Sequence, residues 1–331
     1  MLTKTIISFP GLGIGEFTVD NVAFNFGGKF PIYWYGIIIT LGIVTAFLYA
    51  SYRSYFEKVK VDDLIDVALW TVILGVVGAR LYYVMTSLDK YIPEPFNFGQ
   101  FIKNVFNLRQ GGLAIYGGII CGILGIVIAT GIKKMNTIKL MDMAGPGVMI
   151  AQAIGRWGNF FNAEAHGGVV SDSSPLYFLR MGLLPNENSI FTTFYYHPTF
   201  LYESLWNVIG FIIINLFYKK KKFNGQMACM YLAWYGFGRM FIEGLRTDSL
   251  YVGMFRISQL VGAACFVVFG SLLVWGLIYS GKYDDPDAKL NKLDQLLKPD
   301  MDLCPVFFEK KAKAQKSNES AEGEKDNGED N

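Results

Sequence analysis

The sequence predicts an all-α, polytopic membrane protein with seven transmembrane helices, its N-terminus outside and its C-terminus cytoplasmic. Three observations predict this. Seven apolar stretches are long enough to cross a hydrocarbon core about 30 Å thick, which takes roughly 20 residues at about 1.5 Å each. Basic residues gather in alternate connections. The composition, 52% hydrophobic and 18% charged over 331 residues, is more apolar than a soluble domain's.

In chain order the spans fall at about 33–52, 64–87, 113–132, 140–157, 201–218, 226–243 and 257–280. The fourth carries Asp142, Gln152 and Arg156, so it is expected to line a cavity rather than face lipid. Arg53, Lys58 and Lys60 follow the first span, Lys133, Lys134 and Lys139 the third, and Lys219 to Lys222 the fifth. Positive residues mark cytoplasmic loops, which places the N-terminus outside. The loops 88–112, 158–200 and 244–256 mix charges and belong outside. Glycines 117, 118, 122 and 125 read as close-packing positions in the third span.

Three regions follow: an outer surface segment at 1–32, a seven-helix membrane domain at 33–280, and a charged cytoplasmic tail at 281–331. The net charge of +2 conceals a split, because the tail holds 9 Lys against 13 Asp and Glu. Disorder is expected over Lys316–Asn331, and a short amphipathic helix over Leu290–Leu297 on the inner membrane surface. No signal peptide is read in the first residues, where Pro10 cuts the apolar run short. The Gly11–Leu12–Gly13–Ile14–Gly15 run is set aside as a nucleotide loop, on the reading that it neither follows a strand nor opens a helix.

Several function classes drop out. The basic loops are explained by topology, and nothing calls for nucleic acid. Cys121, Cys229 and Cys265 fall inside spans and Cys304 in the tail, so there is no disulfide framework. Two histidines, His166 and His197, do not make a metal site, and neither metal nor cofactor is expected. His166 reads as a loop residue.

Four polar groups are expected at one depth near the outer face. Arg80 lies late in the second span. Arg156, Asn159, Asn162 and Glu164 end the fourth. His197 to Glu203 opens the fifth, and Tyr235, Arg239, Glu243 and Arg246 end the sixth. For Arg80 and Glu203, a purely structural arginine–glutamate partnership stands level with a functional role. Tyr33, Trp34 and Tyr35 fit an interfacial aromatic belt, and Asp142 a helix-start residue. Arg156 and Arg239 together favour function, since guanidinium groups bind phosphate in a fork and keep their charge when partly buried. Two of them at headgroup depth fit a phospholipid phosphodiester and charge developing on a phosphate leaving group.

The string Gly155-Arg-Trp-Gly-Asn-Phe-Phe-Asn-Ala-Glu-Ala-His-Gly167 resembles the signature G-R-x-G-N-F-x-N-x-E-x-x-G of bacterial prolipoprotein diacylglyceryl transferases. His197-Pro-Thr-Phe-Leu-Tyr-Glu203 is similar to that family's H-P-x-x-L-Y-E segment. Tyr235-Gly-x-x-Arg239 with Glu243 and Arg246 resembles its Y-G-x-x-R-x-x-x-E-x-x-R stretch. Trp34-Tyr35-Gly36, Gly78-Ala79-Arg80 and the glycine pairs 111–112 and 117–118 match as well. The resemblance spans about residues 30–280.

It implies a multi-pass enzyme of the bacterial cell membrane. Such enzymes move the diacylglyceryl group of phosphatidylglycerol onto the lipobox cysteine of a prolipoprotein signal peptide, forming a thioether and releasing glycerol 1-phosphate. It further implies catalytic roles for Arg156, Arg239, Tyr116 and Glu243. Substrate contacts would come from Tyr35, Arg80, Asn159, Asn162, Glu164, Gly167, Glu203 and Tyr235. One departure stands out. Where many members carry a histidine, this chain has Tyr116, and a phenol with an ordinary pKa near 10 is a poor base at neutral pH. A thiol of pKa about 8.5 must still lose its proton. Tyr116 as a donor, with a glutamate or water as acceptor, is the reading carried forward.

A transporter or flippase of an anionic lipid or solute is the alternative, and a membrane scaffold a third. Against the transporter stand the lack of an internal repeat and a polar cluster placed toward one face.

Overall fold

The computed structural model describes residues 4–27, 30–93, 97–107, 111–184, 195–247, 249, 251–284 and 289–301. The stretch of the tail expected to be disordered, and Cys304, lie outside these.

In chain order the helices are α1 (Trp34–Phe56), α2 (Val61–Thr86), the short α3 (Phe98–Phe106), α4 (Ile115–Ile132), α5 (Thr137–Phe161), α6 (Thr199–Tyr218), α7 (Gln226–Leu245), α8 (Ile257–Tyr279) and the short α9 (Lys292–Leu297). Five of them, α1, α2, α4, α6 and α8, are long and apolar enough to cross a membrane. The protein is therefore a mostly helical, multi-pass membrane protein. The other two long helices, α5 and α7, fall short of that apolarity because they carry polar residues: Asp142 and Arg156 on one, Arg239 and Glu243 on the other. Both are enclosed. α5 packs against α1, α6 and α7, and α7 also packs against α8. Polar side chains on such helices meet protein instead of lipid.

Close approach of α2 and α4 needs small residues, as the glycine pattern predicts. A Cβ on Gly117 would overlap the carbonyl oxygen of Gly78, so neither backbone tolerates a side chain there.

At the end where α5 and α7 start, Asp142 is completely buried and caps a helix other than its own. Its carboxylate accepts from the Gly225 N–H at 2.7 Å and the Ala228 N–H at 2.9 Å, the free donors at the start of α7. The expectation that it starts its own helix is corrected, since α5 begins at Thr137 after the N-cap Asn136. Lys221, itself buried, bridges Asp142 and Glu57 at 3.0 and 2.7 Å. α5 and α7 are thereby locked in register far from Arg156 and Arg239.

The opposite end carries β-structure that the helical reading does not foresee. Strands β1 (Lys4–Phe9), β2 (Ile14–Asp20), β3 (Val22–Phe26) and β4 (Phe30–Tyr33) fill most of the N-terminal segment, and β5 (Met181–Leu184) and β6 (Tyr195–Tyr196) lie between α5 and α6. β7 (Tyr251–Val252) and β8 (Phe255–Arg256) form a hairpin leading into α8. The main sheet is antiparallel in the order β2-β1-β5-β6. Ile7, Phe9, Val19 and Met181 from this sheet pack with Phe200, Phe160 and Phe161, seating it on the ends of α5 and α6. The Gly11–Gly15 run does follow a strand, contrary to the sequence reading. It leads into β2 and opens no α-helix, so the exclusion of a nucleotide loop stands on that ground.

α9 matches the expected short helix. Asn291 and Asp294 form a capping box. Rather than lying free on a surface, α9 is docked on the bundle, with Asp294 and Leu297 buried.

Candidate active site

The site grows from the C-terminal end of α5. After Phe161 the chain ends the helix in a Schellman turn, with the Glu164 N–H donating to the Asn159 carbonyl at 3.1 Å and the Ala163 N–H to that of Phe160 at 3.0 Å. Ala163 takes the left-handed conformation usually left to glycine, and so does Ala165, at φ of 49° and 55°. Strain of this kind gathers at functional sites. The two alanines flank Glu164 and turn it back on the helix end. Its Oε1 accepts from Asn159 Nδ2 at 3.1 Å and Asn162 Nδ2 at 3.2 Å.

One turn before, Arg156 donates from Nη1 to Asn159 Oδ1 at 3.3 Å. Its Nη2 lies 2.5 Å from Glu203 Oε2, in the first turn of α6. Arg239 of α7 reaches the other oxygen of the same carboxylate at 2.8 Å and pairs through Nη2 with Glu243 at 2.6 Å. Arg246 adds a longer contact to Glu203 at 3.5 Å. Glu203 and Glu243 are buried, and the arginines are largely so. Three guanidinium groups thus gather around the buried carboxylates of Glu203 and Glu243, with Glu164 joined to Arg156 through Asn159. Burial strengthens these charge interactions, because water is not there to screen them. Tyr235, one turn before Arg239, lies within electrostatic reach of Arg239, Glu203 and Arg156.

Backbone fit explains two signature glycines. A Cβ on Gly158 would sit 2.9 Å from the ring of Tyr35, so glycine admits that tyrosine against the helix end. Gly167 donates to the His197 carbonyl at 2.8 Å, and a Cβ there would meet His197 and the Leu245 carbonyl. It is a backbone stitch between the signature loop, the start of α6 and the end of α7. His197 Nδ1 stands 3.2 Å from the Tyr202 hydroxyl, and partial burial lowers its pKa.

The structure thus brings Arg156, Asn159, Asn162, Glu164, Glu203, Tyr235, Arg239 and Glu243 to one place, with Tyr35 and Gly167 against it. Arg80 and Tyr116 stand apart. The buried Arg80 guanidinium donates to five backbone carbonyls, those of Asn104, Val105, Asn107, Gly111 and Gly112, at 2.6 to 3.0 Å. It also lies over the Tyr91 ring. This is the work of ending α3 and holding the turn into α4. Tyr116, half-buried in the first turn of α4, makes no hydrogen bond among the described residues.

Sequence reasoning missed Arg256, whose Nη1 donates to the Glu243 carbonyl and whose Nε donates to the Tyr251 hydroxyl at 3.0 Å. No spacing signals it, because the β7–β8 hairpin folds it back.

Fold and site together define a multi-pass helical membrane protein with a buried arginine–glutamate cluster at one end of its bundle. The prolipoprotein diacylglyceryl transferase family model matches residues 21–275. Relatives named phosphatidylglycerol–prolipoprotein diacylglyceryl transferase include that of Clostridium kluyveri, 44% identical over 78% of this chain and 96% of the relative. That of Clostridium botulinum is 41% identical over 79% and 97%, and that of Staphylococcus aureus 41% over 83% and 94%. The chain belongs to the prolipoprotein diacylglyceryl transferase family. A family of transferases leaves no ground for the transporter and scaffold readings.

Proposed function

We propose that this protein transfers the diacylglyceryl group of phosphatidylglycerol to the lipobox cysteine thiol of a prolipoprotein signal peptide. The carrying observation is the pair Arg156 and Arg239, drawn together on the two oxygens of Glu203. Paired guanidinium forks suit the phosphodiester of phosphatidylglycerol.

Topology follows the basic loops: all seven long helices span the bacterial cell membrane, with the arginine site at the outer face and the tail in the cytoplasm. The enclosed α5 and α7 cross as interior helices. The segment at 1–32 covers the outer face, and residues 33–280 form the catalytic domain.

Chemistry at the site is a displacement. The cysteine thiolate attacks the glycerol carbon that joins the diacylglycerol to phosphate. A C–S bond forms, the C–O bond breaks, and its electron pair leaves on glycerol 1-phosphate. Arg156 and Arg239 bind the phosphate and stabilise the charge gathering on it, the larger contribution where water is excluded. Glu203 and Glu243 hold the two guanidinium planes, and Tyr235 donates from the side. Asn159, Asn162 and Tyr35 shape the pocket. Gly167 keeps its backbone closed.

The thiol proton goes to Glu164. Glu243 is buried against Arg239, whereas Glu164 is exposed and uses Oε1 for both asparagines. Tyr116 is a hydrogen-bond donor to the incoming substrate, and Arg80 supports its loop.

The test is direct. Purified protein with phosphatidylglycerol and a lipobox peptide yields a peptide heavier by one diacylglyceryl group, resistant to hydroxylamine, with an equal amount of glycerol phosphate. Release of glycerol phosphate without a thioether product would overturn the assignment.

A further inference from the structure

The family model ends at residue 275, yet the chain continues into an ordered strap that docks on the bundle far from the arginine site. Asn224, in the α6–α7 turn, donates from its backbone N–H to the Leu297 carbonyl at 2.7 Å. Its side chain donates to the carbonyls of Leu296 and Lys298, both at 3.0 Å. Asn136, the N-cap of α5, donates to the Leu296 carbonyl at 2.7 Å. These donors satisfy the open carbonyls at the end of α9. Asp294 is tied to Tyr279 at 2.9 Å and to Lys282. Met301 packs beside Tyr218 and Met227.

Between this strap and the α1–α2 and α4–α5 turns lies a cavity of about 510 Å³. Lys58, Lys60, Lys139 and Lys298 line it, against Asp63 and Asp300. Both carboxylates already hold partners: Asp63 lies 3.1 Å from Lys133, and Asp300 pairs with Lys139. Among the described residues, Lys60 and Lys298 have no carboxylate. Lys139 is buried, with its side chain 9% exposed, whereas its partner Asp300 is 65% exposed. Lys58 holds a left-handed φ of 54°, a conformation that costs a lysine about 1 kcal/mol and that glycine would adopt freely.

We propose that this cavity binds a phosphate-bearing anion, with Lys60, Lys298 and Lys139 as its ligands. Two sources carry that chemistry: the headgroup of an anionic phospholipid in the same leaflet, and a soluble phosphate ester. The volume falls within the range of small-molecule sites. The lysines sit where the helices end, at headgroup depth. Only the assignment of this face to the cytoplasm rests on the proposed topology.

The experiment uses full-length protein in detergent. Native mass spectrometry counts the phosphatidylglycerol retained by wild type and by Lys60→Gln/Lys298→Gln, with phosphatidylcholine as the neutral comparison. Titration calorimetry with sn-glycerol 1-phosphate and inorganic phosphate forms the second arm. Lys219→Gln/Lys220→Gln, which removes two exposed lysines outside the cavity, controls for general basicity. Transferase activity in each variant reports the arginine site separately.

Loss of one phosphatidylglycerol from the cavity variant, with an affinity drop of about 30-fold, assigns the lipid source. Phosphate binding that is lost only in the cavity variant assigns the soluble source. Equal losses in both variants, or no loss in either arm, overturn the proposal. Transfer activity that fails in every variant while the cavity lipid stays lysine-dependent would sink the transferase reading and leave this one standing.

Discussion

Arg156 and Arg239 come from different helices and hold opposite oxygens of one carboxylate, that of Glu203, at 2.5 and 2.8 Å. Neither arginine is positioned by its own helix alone. A buried pair of like charges is held together only because a shared counter-charge lies between them. Glu203→Gln keeps the shape and removes that charge. Transfer should fall about 10²-fold or more, with phosphatidylglycerol KM changed along with kcat, because the two forks splay apart. Wild-type activity in Glu203→Gln would show that the arginines hold their places without it.

Arg156→Ala and Arg239→Ala should each remove about 3 kcal/mol of transition-state stabilisation, a loss of 10²- to 10³-fold in kcat. Lysine at either position should recover only part, since an ammonium lacks the planar fork that serves carboxylate and phosphate at once. Single-turnover thioether formation measures this. Full rescue by lysine would mean that charge alone is used.

Much of this site is legible in the amino-acid sequence, and the reason is local. Arg156, Asn159, Asn162 and Glu164 lie within nine residues, on a helix end whose polarity contrasts with the apolar run before it. The five apolar helices are equally plain, since length and hydropathy decide them. Strands β1 and β2 are not. β1 is paired with β2 on one side but on the other with β5, more than 150 residues away, and pairing at that separation leaves no local pattern. Arg80 misleads for a similar reason. An arginine near a span end signals a partner, but composition does not say whether that partner is a ligand or, as here, the backbone carbonyls between residues 104 and 112. The charge closure of Lys221 on Asp142 and Glu57 is invisible too, because it joins three segments distant in sequence.

Tyr116 has no hydrogen-bond partner among the described residues, which fits a donor that waits for substrate. Tyr116→Phe should slow transfer less than about tenfold and leave the basic limb of the pH–rate profile in place, whereas loss of a true general base costs about 10²- to 10⁴-fold. Tyr116→His should be tolerated. A phenylalanine variant that folds, binds lipid and is nearly inactive would return the base role to this position.

His197 sits in the stitch between Gly167 and α6, and burial lowers its pKa from the ordinary value of about 6.5. Below that value the unfolded chain takes up a proton that the folded one resists. The contribution to stability is therefore present above about pH 6.5 and is lost as pH falls toward the lowered folded value. The Tm of wild type should drop between pH 7 and pH 5 by more than that of His197→Gln. Parallel curves for the two proteins would rule out this residue as a source of acid sensitivity.

Arg80 offers the cleanest separation of structure from catalysis. Its five carbonyl acceptors are charge-assisted, and each such bond is worth about 1.5–3 kcal/mol when taken singly, though they do not add. Arg80→Ala strands several of these carbonyls, so stability should fall by about 3–4 kcal/mol, read as a lower Tm in detergent. Arg80→Lys keeps the charge but offers a single nitrogen where a fork served, and should recover less than half of the loss. The catalytic consequence differs from that of Arg156. With α3 and the Gly111–Gly112 turn loosened, Tyr116 is delivered less accurately, while the guanidinium pair on Glu203 is untouched. At a temperature where each variant is folded, Arg80→Lys should therefore bind phosphatidylglycerol as wild type does and transfer it more slowly. Loss of lipid affinity in Arg80→Lys, with Tm unchanged, would instead place Arg80 on the substrate and reverse its assignment here.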